Sequence, residues 1–79
     1  MDNHRDKREL EKVLKALANR RRLGIIQHLR KVNKANVGNI TNAIKLSFKS
    51  TSKHLGVLLA AGIVEREQVG PNASYCLAY

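Results

Sequence analysis

The stretch "LSFKSTSKHLGVLLAAGIVEREQVGPNASYCLAY" (residues 46–79) changes its hydrophobic period partway along, and that change decides the fold. As far as Ala61 the apolar residues recur at the spacing of one helix face; beyond Gly62 they alternate as in strands. Ser47 offers a hydroxyl at the N-cap of a helix over 48–61, and Gly62 stands where a left-handed C-cap is expected. Ile63 to Val69 and Ala73 to Tyr79 then read as two strands, with turn chemistry from Gly70-Pro71-Asn72 between them. On a helical wheel of about 100° per residue, Phe48, Thr51, Leu55, Leu58 and Leu59 define a core side. Lys49, Ser50, Lys53 and Val57 occupy the opposite face, with Ser52 and His54 at its margins. Phe48 is expected to pack beneath the hairpin or, as the alternative, to touch a thymine methyl from the first turn of the helix.

Working back toward the N-terminus, three further helices are legible. Asn36 can cap one over Val37 to Lys45, with Val37, Ile40, Ala43 and Ile44 inward. Asn19 can cap another over Arg20 to Lys31, with Leu23, Ile26 and Leu29 as its inner stripe and Ile25 at the edge. Gly24 within that helix suggests the close approach of a neighbour. Val32 to Ala35 reads as a polar connection. Asp6-x-x-Glu9 resembles a capping box that opens a first helix, in which Leu10, Val13, Leu14 and Leu17 keep the i, i+3, i+4, i+7 spacing. Residues 1–5 read as a flexible basic arm. The order is helix, helix, helix, turn, helix, hairpin. It predicts a mainly α fold with a small β-hairpin: a single winged helix-turn-helix domain over residues 1–79, with four helices followed by a two-stranded wing.

Charge points to the partner. From Lys12 to Val64 there are eleven Lys/Arg residues and no acid; all six Asp/Glu lie outside that window, and the net charge is +9. A solvated surface normally mixes signs, so a long one-sign stretch implies a polyanion. In a helix-turn-helix the second helix enters the major groove of double-stranded DNA. Helix 48–61 would present Lys49, Ser50, Ser52, Lys53 and His54 there, since lysine can donate to guanine and serine to several base edges. Thr41 is counted with these DNA-facing residues. The 69–73 wing would lie beside the backbone, with Arg66, Gln68 and Asn72 near a phosphate. Of Arg20, Arg21 and Arg22, at least one is expected to pair with an acid, while Lys31 and Lys34 could extend the backbone contact.

Two segments, "LKALANRRRLGIIQHL" (14–29) and "NITNAIKLSFKSTSKHLGVLLAAGIVERE" (39–67), resemble the ArsR-type winged helix-turn-helix regulators. Leu46, Ser47, Ser52, Lys53, His54, Leu55, Leu58, Ala61, Gly62, Ile63 and Val64 match the second motif as they stand. The resemblance implies a DNA-binding transcriptional regulator, typically a dimeric repressor on a pseudo-palindromic operator, with DNA contacts at Lys49, Ser50, Ser52, Lys53 and His54. Thr51 departs from the family's usual aliphatic, and its hydroxyl is expected to bond to a backbone carbonyl. Many members add a C-terminal dimerisation helix after the hairpin; here a homodimer is expected through the first helix, at Leu10, Val13, Leu14 and Leu17.

The other classes fit less well. No phosphate-binding glycine loop, carboxylate pair or nucleophile–base set suggests an enzyme. A zinc site needs three or four converging ligands, whereas Cys76 is alone and His4, His28 and His54 are scattered, so no metal or other cofactor is expected. Cys76 reads as a buried apolar residue. A lone cysteine, no long apolar run and a polar N-terminus fit a cytoplasmic protein away from the membrane. The alternative reading is an RNA-binding or ribosome-associated winged helix. Its aromatic platform is missing, because Phe48, Tyr75 and Tyr79 do not cluster in the sequence.

Overall fold

The computed structural model describes residues 4–78, with side chains from Asp6 onward. Over these residues the chain forms α1 (His4–Leu17), α2 (Arg20–Val32), β1 (Ala35–Asn36), α3 (Val37–Ile44), α4 (Phe48–Ala60), β2 (Val64–Val69) and β3 (Asn72–Leu77). The expected four helices and hairpin are present, and β1 is an addition. It pairs antiparallel with β3, Ala35 opposite Tyr75 and Asn36 opposite Ser74, so the sheet has three strands in the order β1-β3-β2. What reads in sequence as a polar connection therefore ends in a strand.

Short-range signals place the helix ends. The Asn19 side chain accepts from the Arg22 N–H at 3.1 Å, Asn36 from the Asn39 N–H at 2.8 Å, and Ser47 from the Ser50 N–H at 3.1 Å. Each satisfies a donor that the first helical turn leaves without a partner, worth about 1 kcal/mol. Gly62 takes φ +74°; its N–H donates to the Leu59 carbonyl, and that of Ile63 to the Leu58 carbonyl. This is the paired closure of a Schellman motif. The N-terminus differs from expectation. α1 begins at His4, so Asp6 lies inside the first turn rather than at a cap. Two residues of the expected arm, 4 and 5, are helical, and the other three lie outside the described residues.

The core is built from Ala16, Ile25, Leu29, Ala35, Ile40, Leu55, Leu58, Ile63 and Val64. Two expected stripes shift. On α2, Ile25 is fully buried and Leu23 is exposed, so the inner row runs 22, 25, 26, 29. On α3, Ala43 is exposed while Ile40 is fully buried. Gly24 has a neighbour, but an unremarkable one: a Cβ there would stand 3.8 Å from the Ile44 side chain of α3, an ordinary contact. On β3, Tyr75 and Leu77 pack against the core. Alternation turns Cys76 to the outer face beside Glu65, where it is half-buried rather than part of the core.

Candidate nucleic-acid interface

Helix α4 is held in one rotation about its axis by the full burial of Thr51, Leu55 and Leu58. The Ser47 carbonyl accepts from the Thr51 N–H at 3.0 Å and from the Thr51 hydroxyl at 2.9 Å. Thr51 is fully buried, so its hydroxyl is satisfied locally, as the sequence suggests. With Thr51, Leu55 and Leu58 locked inward, the opposite side must face solvent. Lys49, Ser52, Lys53, Gly56 and Val57 are all exposed, and Ser50 and His54 are half-buried at the margins. No ion pair or side-chain hydrogen bond within the protein is recorded for Lys49 or Lys53 among the described residues. Both ammonium groups are free for a ligand.

Two members of the expected core side do not belong to it. Phe48 is 63% exposed and Leu59 39%, so Phe48 does not pack beneath the hairpin. At the first helical position its ring projects outward beside Lys49. Gly56 lies mid-helix on the open face, and a Cβ there would meet nothing within 4 Å. No neighbouring element of the protein requires that glycine.

Thr41 is half-buried, and its hydroxyl oxygen is buried within the fold with no hydrogen-bond partner among the described residues, so the hydroxyl itself is turned away from solvent. The wing side chains partly consume one another. The Arg66 guanidinium donates to the Gln68 Oε1 at 2.8 Å, and the Gln68 amide donates to the Gly70 carbonyl at 2.9 Å. Alternation along β2 puts Arg66 and Gln68 on the side of buried Val64, and Glu65 and Glu67 on the other. The loop is a two-residue turn closed by the Val69–Asn72 pair, with Gly70 at φ +59°. Glycine first and proline second suit a type II′ turn, since type I′ would require a positive φ of proline. Asn72 is exposed at its foot.

Of the three consecutive arginines, Arg22 is the one turned inward, and no acid meets it among the described residues. Its Nε donates to the Ala16 carbonyl at 2.6 Å and its Nη2 to the Lys15 carbonyl at 3.1 Å, closing the end of α1. Its Nη1 lies 3.2 Å from Nδ1 of His54 on α4. Burial lowers the pKa of His54, and the charges of Arg22, Lys53 and Arg21 lower it further. Sequence reasoning missed this residue. The signal was available in the row Arg22, Ile25, Ile26, Leu29, which keeps the i, i+3, i+4, i+7 spacing of one helix face and contains both residues that prove fully buried or nearly so. Lys34 is likewise committed, its ammonium 3.3 Å from a Glu67 carboxylate oxygen, while Lys15 pairs with Glu11 at 3.8 Å. Both are exposed pairs of the kind that contribute little.

The first-helix stripe divides. Val13 and Leu17 pack against the core, whereas Leu10 and Leu14 are 59% and 56% exposed. Among the described residues no group of three or more His, Cys or acidic side chains converges on a point, and no helix is long and apolar enough to cross a membrane.

Comparisons with known proteins agree with this architecture. A family model described as "bacterial regulatory protein, arsR family" matches residues 19–66, from the cap of α2 into β2. No curated protein sequence matches the chain. Among solved structures, HlyU from Vibrio cholerae is 30% identical with a TM-score of 0.84, covering 98% of this chain and 83% of that one. The homodimeric winged helix-turn-helix DNA-binding domain Mb0332 from Mycobacterium bovis, a possible ArsR-family transcriptional regulator, is 30% identical with a TM-score of 0.88. That match covers 99% of this chain and 74% of that one. The transcriptional repressor PagR of Bacillus anthracis is 25% identical with a TM-score of 0.83, covering 95% of this chain and 85% of that one. Helix order, wing and motif thus converge, and the chain belongs to the arsR family of bacterial regulatory proteins, helix-turn-helix regulators of transcription.

Proposed function

We propose that this protein is a sequence-specific double-stranded DNA-binding repressor of transcription, acting in the cytoplasm as a homodimer. The observation that carries the reading is the open face of α4, where Lys49, Ser52 and Lys53 are exposed inside a 53-residue window with no acid. α4 lies in the major groove with its N-terminal half at the base edges, and the 69–73 wing runs beside the backbone. Lys49 and Lys53 reach base edges or phosphates, Ser50 and Ser52 donate alongside them, and Arg66, Gln68 and Asn72 track the sugar–phosphate strand. The buried Thr41 hydroxyl is not among these donors.

Leu10 and Leu14 supply the dimer seam. Two leucines more than half exposed on one helix face make an apolar strip that a second copy would cover, while Val13 and Leu17 support it from the core side. A two-fold dimer of this kind reads an inverted repeat with half-sites about 34 Å apart. Repression would follow from occupying a promoter; PagR of Bacillus anthracis, 25% identical, is a transcriptional repressor.

The test is selection of a preferred duplex from a random pool, followed by titration of that duplex at several salt concentrations. The expected result is an inverted repeat bound with an affinity that falls steeply with salt, because neutralised phosphates release counterions. Preference for hairpin RNA over every duplex would overturn the proposal. A reporter driven from a promoter containing the selected site should fall in expression when the protein is present.

A further inference from the structure

We propose that Arg22 is a positioning residue for the DNA interface: anchored on the end of α1, it holds the His54 imidazole in the tautomer that carries its proton on Nε2, and that N–H donates to a phosphate oxygen. The inference rests on the DNA-binding reading above and adds to it a residue outside the helix-turn-helix and a defined protonation state within it.

The argument begins with what a guanidinium can do. Arginine has five N–H donors, no acceptor, and a charge it does not lose. Its contact with Nδ1 of His54 at 3.2 Å is therefore a hydrogen bond only if Nδ1 offers a lone pair. A neutral imidazole with a free Nδ1 carries its single proton on Nε2. The guanidinium is not free to turn away, because its Nε and Nη2 are already spent on the carbonyls of Ala16 and Lys15. Ala16 is itself 1% exposed, so this anchor sits in the core rather than on a mobile surface. The planar fork is thus fixed at two points and presents its third donor to His54.

The remaining ring nitrogen is available. Nε2 has no hydrogen bond among the described residues, and it is not a buried atom lacking a partner, so it opens to solvent. His54 stands at the margin of the exposed face of α4, directly after exposed Lys53. The charged groups that face it are all cations: Arg22 and Arg21 from α2, and Lys53 from its own helix. Together with burial they favour the neutral ring. A phosphate oxygen only accepts, so a ring fixed as a donor on its open side suits it. The contact is directional where those of Lys49 and Lys53 are diffuse, and it ties the register of α4 on the duplex to the end of α1.

The experiment uses the full chain labelled with ¹⁵N, free and bound to its selected duplex, with long-range ¹H–¹⁵N spectra of the imidazoles and parallel affinity measurements. Expected at neutral pH are a pyrrole-type Nε2 and a pyridine-type Nδ1 for His54, and a mixture of tautomers in Arg22→Met. In His54→Gln the side-chain amide nitrogen stands near the Nε2 position, so affinity should remain within about threefold of wild type. His54→Asn places its amide near Nδ1 instead and should lose about tenfold, the scale of one hydrogen bond to a charged acceptor. A neutral methylphosphonate at the contacted phosphate should weaken the wild type and leave His54→Asn unchanged. A wild-type His54 with its proton on Nδ1 or on both nitrogens would overturn the proposal, as would equal losses in the Gln and Asn variants. Should Arg22→Met fail to fold, the wild-type spectrum and the Gln/Asn pair still decide. A wild-type protein that shifts no duplex overturns the DNA reading itself and takes this proposal with it.

Discussion

Helix α4 and the β2–β3 wing carry their polar side chains in opposite conditions. On α4, Lys49 and Lys53 project into solvent with no partner among the described residues. On the wing, Arg66 is bonded to Gln68, and Gln68 to the Gly70 carbonyl. A cation that is already free gives a ligand its full interaction, less the entropy of ordering the side chain. One that is engaged must exchange an existing bond for a new one, and only the difference remains. The helix should therefore dominate affinity and discrimination, with the wing as a modest, sequence-independent addition.

The sharpest way to break this comparison is to truncate one residue in each region. Lys53→Ala should cost about 1–3 kcal/mol on the preferred duplex and relax its sequence preference, if the lysine touches a base edge. Titration against a panel of single-base variants reads both quantities. An equal loss on every duplex would reduce Lys53 to a phosphate contact. Next in size is Ser47→Ala, which removes the oxygen that caps α4; thermal or urea unfolding should register a loss of about 1 kcal/mol.

Gly56→Ala separates folding from binding. Alanine in mid-helix is about 1 kcal/mol better than glycine, and here it would meet nothing of the protein within 4 Å. The variant should be more stable yet bind DNA more weakly, because the new methyl group stands on the face proposed to enter the groove. Unchanged affinity would show that the backbone at Gly56 does not come close to the duplex. Arg66→Ala should cost less than about 1 kcal/mol, roughly equally across sequences, and reduce the slope of log affinity against log salt by about one. A larger or sequence-dependent loss would reverse the ranking of helix over wing.

The smallest effect is a pH dependence. The unfolded His54 titrates near 6.5, and the folded one below that. Between the two values the unfolded chain binds more protons, so stability rises with pH across the window. It is lost as pH falls through the folded value, and nothing further is lost from this group below it. Unfolding temperatures of the wild type and His54→Gln, measured between pH 7 and 5, should differ in slope only within that window.

How much of this was legible in the sequence depended on the range of the interaction involved. Asn19, Asn36, Ser47 and Gly62 act within four or five residues of themselves, and each stands where the sequence placed it. β1 was invisible because its partners, Ser74 and Tyr75, lie almost forty residues away and two residues show no period. Periodicity identified α2 but not its rotation, because two rows of nearly equal apolarity competed and an arginine concealed the correct one. For the site, exposure of Lys49, Ser52 and Lys53 followed from the wheel. The exposure of Phe48 did not: a wheel assigns an aromatic ring to the core, whereas tertiary packing left this ring outside.

Asn36 belongs to two structures at once. Its backbone is in register with Ser74 of the wing sheet, and its side-chain oxygen closes the first turn of α3. A displacement of the hairpin would therefore load the opening turn of the helix that precedes α4. The hairpin and the reading head should tilt as one lever about this asparagine, so that local DNA shape felt at one end changes the angle presented at the other.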